Sequence, residues 1–146
     1  MKHRFAILCQ ASVVDTLTHN ISLFNLIDRF QLDSDNVGFT ERGPVHSEAV
    51  SVPFAAHLVV MSERSKSSTP ESCEARIVLQ IPSGENIGPS LFCIDLSEFR
   101  RTHNVIRFNV FPYCGVGRYL FEVEYKNSET GKWEKVDSVP LEVEVS

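Results

Sequence analysis

The stretch GVGRYLFEVEYKNSETGKWEKV, Gly115 to Val136, decides the fold. Its first half places Tyr119, Phe121, Val123 and Tyr125 at every second position, with Leu120, Glu122 and Glu124 between them. A period of two is the signature of a strand with one face in a core and the other in water. NSETGK, Asn127 to Lys132, then supplies residues that favour a bend, and Trp133 opens the returning strand. A hairpin with one greasy face needs a second layer to cover it, which points to a sandwich.

The same alternation recurs outward from this hairpin. CEARIVLQI sets Cys73, Ala75, Ile77, Leu79 and Ile81 on one face, and VPLEVEV sets Val139, Leu141, Val143 and Val145 against Glu142 and Glu144. NVIRFNVF stacks Ile106, Phe108 and Val110. VSVPFAAHLVVM stacks Val50, Val52, Phe54, Ala56, Leu58 and Val60, with Pro53 marking an edge position or a bulge. RFAILCQASVV and NISLFNLIDRF are apolar more continuously, as strands covered on both faces would be. Bend-forming residues separate the runs, and DLSEFRR, Asp95 to Arg101, has room for one helical turn capped by Asp95 or Ser97. The expected fold is all-β: a single domain over residues 1–146, an antiparallel two-sheet sandwich of about seven or eight strands.

Composition narrows the function. The net charge is −5, and the densest basic spots, Lys2 to Arg4 and FRRTH at Phe99 to His103, hold only two or three charges each. Nucleic-acid and anionic-membrane partners need larger basic faces, so neither is expected. MKHRFAILCQASVV is interrupted by Gln10 and Ser12, alternates as a strand does and shows no cleavage site, so a cytoplasmic protein is the expectation. Cys9, Cys73, Cys93 and Cys114 lie at long, irregular spacings and read as thiols without a disulfide.

Gly117-Arg118-Tyr119 at the head of an alternating strand resembles the tyrosine corner of immunoglobulin-like sandwiches, and the chain as a whole resembles the immunoglobulin-like or C2-like class. Phe121 stands where an antibody-type domain has Cys, and the only Trp, Trp133, falls in the following strand. FAILCQASVVDTLTHNISLFNLIDRF, with the closing GVGRYLFEVEY and VPLEVEV, is also similar to a family of small uncharacterised bacterial β-sandwich proteins. Members commonly carry Gly-Lys before the second strand, where this chain has His19-Asn20. That resemblance implies a fold and no activity.

Candidate chemistry is sparse. His3, His19, His46, His57 and His103 offer metal ligands without a zinc-like spacing, and no cofactor is expected. DSDNVG begins like a calcium loop with Asp33, Asp35 and Gly38, but Val37 and Pro44 occupy places where an EF-hand needs ligands. A C2-like site on Asp33 and Asp35, with Asp28, is the alternative reading. Cys114 in FPYCGVG is the one thiol whose glycine neighbours suggest an oxyanion-binding amide, which would make a cysteine-based enzyme the third reading. The leading expectation is a non-enzymatic module that binds another protein or itself. Its contacts would come from the loops Gln31 to Glu48 and Ser62 to Ser72, and from Phe24, Val59 and Met61, which put apolar side chains on the polar side of their strands.

Overall fold

The computed structural model describes residues 1–33 and 49–146. Among the described residues there are nine strands and no helix. One sheet runs β2 (Ile21–Leu26), β1 (Lys2–Val14), β4 (Val50–Glu63), β7 (Arg101–Tyr113). The other runs β3 (Arg29–Leu32), β9 (Trp133–Val145), β8 (Gly117–Lys126), β5 (Glu71–Gln80), β6 (Asn86–Leu96). The opening stretch is the β8–β9 hairpin, with Asn127 Oδ1 accepting from the amides of Glu129 and Thr130 to shape its turn.

Three expectations need correction. The second apolar stretch is split, because the Ile27 amide donates to Leu8 O in the first sheet while Asp28 O accepts from the Glu142 amide in the second. The chain thus changes sheets between neighbouring residues, which turns one strand into two and raises the count to nine. The short β3 then pairs with β9 in parallel, so the sandwich is not wholly antiparallel. DLSEFRR makes no helical turn: Asp95 Oδ1 accepts from the Ser97 amide, and a bend links β6 to β7.

The core is where alternation put it. Tyr119, Phe121, Val123 and Tyr125 of β8 pack with Ala75, Ile77 and Leu79 of β5 and Val139, Leu141 and Val143 of β9. Facing them are Val52, Phe54, Ala56, Leu58 and Val60 of β4. Phe30, Phe54, Phe111 and Tyr119 form a run of ring contacts with centroids 4.7 to 5.4 Å apart, within the range of favourable aromatic pairs. Pro53 marks a bulge rather than an edge, since β4 is central and its register with β7 shifts between Pro53 and Ala56. That shift flips the phase of β7. Val110, expected inside, is 57% exposed, while Phe111 and Tyr113 are buried instead.

The outer faces differ. The second sheet presents ion pairs to solvent, Arg76–Glu124 at 2.5 Å and Lys126–Glu74 at 2.7 Å, with the Arg76 guanidinium 4.3 Å from the centre of the Trp133 ring. The first sheet is apolar outside: Ile7 opposes Val59, which opposes Val105, and Phe5 opposes Met61. The β1–β2 hairpin covers part of this face. Pairing of β1 with β4 ends at Cys9 opposite His57, while Phe99 lies just before Arg101, which opposes Glu63 at the far end of the sheet. An in-plane hairpin would leave His19 at least about 30 Å from Phe99. Their rings are instead 5.9 Å apart, and Ser12 Oγ lies 2.9 Å from His57 Nδ1. The hairpin has therefore doubled back over the sheet. Asn25, at φ +52°, sits beside the bend.

Candidate functional site

Where the folded-back hairpin meets the β6–β7 bend, a groove of about 680 Å³ opens on the outer face of the first sheet. Its floor is laid by the register: Phe5 on β1, Met61 on β4 and His103 on β7 lie side by side, with the Phe5 and His103 rings 6.5 Å apart. The hairpin contributes Val14, His19 and Ile21 to one wall. Phe99, Arg100 and Arg101 form the other. Phe99 is 55% exposed although it rests against His19.

Among the described residues no carboxylate lines this groove. Arg4, Arg29, Arg76 and Arg118 each lie within ion-pair distance of a glutamate, whereas Arg100 and Arg101, like Arg64 and Arg107, form no ion pair among the described residues. Burial, and then the neighbouring Arg101, hold His103 below the usual histidine range, so it is neutral at pH 7. The positive charge of the groove thus rests on its two arginines. An aromatic and aliphatic floor beside open guanidinium donors suits a ligand that is apolar in one part and anionic in another.

The sequence-predicted contact residues fall in different environments. Met61 is half-buried in the floor. Phe24 is 51% exposed on the hairpin, beside the exposed Leu26 and Val13. Val59 is fully buried and cannot meet a partner, which corrects its expected role. The hairpin and its lateral neighbours Ile7 and Val105 account for this, and Cys9 is buried beside it for the same reason. Of the two loops, most of Gln31 to Glu48 lies outside the described residues. The segment after Ser62 crosses from one sheet to the other, and the Arg64 guanidinium ties it to Leu96 O, Ser67 O and Ser97 O. Sequence reasoning noted FRRTH as a basic spot but missed its meeting with Phe5 and His19, which depends on the doubled-back hairpin.

The other readings gain little from the geometry. Asp28 precedes β3 and Asp33 follows it, so about 16 Å of strand separates them, too far to share one cation. Asp35 lies outside the described residues, among which no group of three or more metal-ligating side chains comes together. Burial raises the Cys114 thiol, with Glu85 adding to the effect, so it is less nucleophilic than an ordinary cysteine. The Cys114 amide donates to Tyr119 Oη at 2.8 Å and is not open to an oxyanion. All four cysteines are free.

One polar network went unforeseen. Asp137 Oδ2 lies 2.6 Å from His3 Nε2, His3 Nδ1 lies 2.9 Å from Tyr125 Oη, and Tyr125 Oη lies 2.5 Å from Ser62 Oγ. The order resembles a catalytic relay. Ser62 is fully buried, however, and Tyr125 stands between it and the imidazole, so the chain of bonds satisfies polar groups at one end of the core. No family model, curated protein or solved structure matches this chain.

Proposed function

We propose that the protein is a non-enzymatic, cytoplasmic binding or scaffolding module whose contact surface is the groove over Phe5, Met61 and His103. The observation that carries this reading is the pairing of an apolar floor with two arginines that form no ion pair among the described residues. Arginine and exposed aromatic side chains are enriched at interface hot spots. The exposed Phe24, Leu26 and Val13 on the hairpin extend the apolar surface beyond the groove. In the same reading the sandwich belongs to the broad immunoglobulin-like or C2-like class and to the bacterial family that its strand pattern resembles. The Tyr119 hydroxyl, which donates to Gly115 O at 2.8 Å, supports this as a tyrosine corner does.

The test is a pair of groove variants, Met61→Glu and Phe99→Ala, compared with wild type in cross-linking within cells of the source organism and in sedimentation of purified protein. Loss of a specific cross-linked partner or of self-association, at unchanged melting temperature, is the expected result. Association that survives both changes would move the contact surface elsewhere.

A further inference from the structure

We infer that the occupant of the groove is an acidic peptide segment, its carboxylates held by Arg100 and Arg101 and a neighbouring apolar side chain seated on Phe5 and Met61. This deepens the binding reading above and rests on it. Among the described residues no carboxylate lines this hollow, and Glu63, opposite Arg101 in register, pairs with Arg4 at 3.4 Å. Two guanidinium groups that form no ion pair among the described residues present planar forks that match a carboxylate in both geometry and charge. The net charge of −5 does not forbid an acidic partner, because at physiological salt charges more than about 8 Å away are largely screened and the nearest groups decide. Nucleic acid fits less well, since two arginines release few counterions. A free anion would leave the apolar floor unused.

The experiment is selection of a displayed random-peptide library on the intact protein, followed by anisotropy titration of the commonest recovered sequence as a labelled synthetic peptide. Recovered peptides should be enriched in Asp and Glu flanking a large apolar residue. Arg100→Gln/Arg101→Gln should weaken binding at least about tenfold, as should Met61→Glu, which places a like charge in the floor. Affinity should also fall as sodium chloride is raised. Melting curves establish that each variant is folded, and Arg100→Lys/Arg101→Lys, which keeps the charge and loses the fork, serves as a second pair with an intermediate loss expected.

Recovered peptides that lack acidic residues but still lose affinity to Met61→Glu would overturn this inference and leave the binding reading intact. Peptides indifferent to every groove variant, or no recovered binder, would overturn both. Displacement of the acidic peptide by an equimolar single-stranded oligonucleotide would reassign the arginines to phosphate and also sink the proposal.

Discussion

Tyr119 shows how one hydroxyl can fix a turn. It is fully buried, accepts from the Cys114 amide at 2.8 Å and donates to Gly115 O at 2.8 Å, closing the approach to β8 onto the strand itself. Gly117 completes the turn at φ +131°, and an added Cβ there would meet Pro82 side-chain carbons at 3.2 Å. Tyr119→Phe leaves a buried amide and carbonyl without that partner, so urea unfolding should show a loss of about 1–3 kcal/mol. His19 is the opposite case. Its φ of +58° lies in the left-handed region, which favours glycine. His19→Gly should relieve about 1 kcal/mol of backbone strain while weakening peptide binding by removing the ring against Phe99. Parallel chemical-denaturation and anisotropy measurements would separate the two effects.

At the scale of elements, the β1–β2 hairpin is the part that makes a site from an ordinary sheet. By doubling back it hides Val59 and Cys9 and leaves Met61 half-covered, although Val59 and Met61 lie on the same face of β4. Their substitutions should therefore diverge. Val59→Ala removes two buried methyl groups and should cost about 2 kcal/mol in the midpoint of urea unfolding. Met61→Ala should cost less than about half of that, because its side chain is only half-buried, and should act mainly on association. Equal destabilisation by the two changes would place Met61 in a closed core and remove the floor of the groove. The bulge at Pro53 acts at the same scale, since it moves Phe111 and Tyr113 inward at the expense of Val110.

For the whole molecule, the polar network at one end of the core predicts how stability responds to alkali. Burial pushes the Tyr125 hydroxyl up to about 12, against the lowering effect of its bond to Ser62. The folded protein thus keeps a proton that the unfolded chain releases near pH 10, the ordinary value for tyrosine. The stabilisation is complete below pH 10 and is lost as pH rises through about 12. Thermal melts across this window should show a falling transition temperature, and Tyr125→Phe should flatten the fall while lowering stability at neutral pH.

Much of the architecture was legible before any coordinates. β5, β8 and β9 keep a strict period of two, and a one-residue slip would expose the whole of Tyr119, Phe121, Val123 and Tyr125, so pattern alone specifies their inner faces. It also marked the continuously apolar N-terminal stretches as covered on both sides, which holds in the middle of β1, where Leu8 and Cys9 are both buried, and fails for β2, an edge strand that leaves Phe24 and Leu26 exposed. What it could not supply was the cover. The doubled-back hairpin brings His19 to Phe99, and the strand register sets Met61 between Phe5 and His103, across sequence separations that no local period encodes. Alternation is a property of neighbouring residues and survives in the bare sequence. A groove between a folded-over hairpin and a distant bend exists only once burial of apolar surface has chosen which strands lie beside, and above, one another.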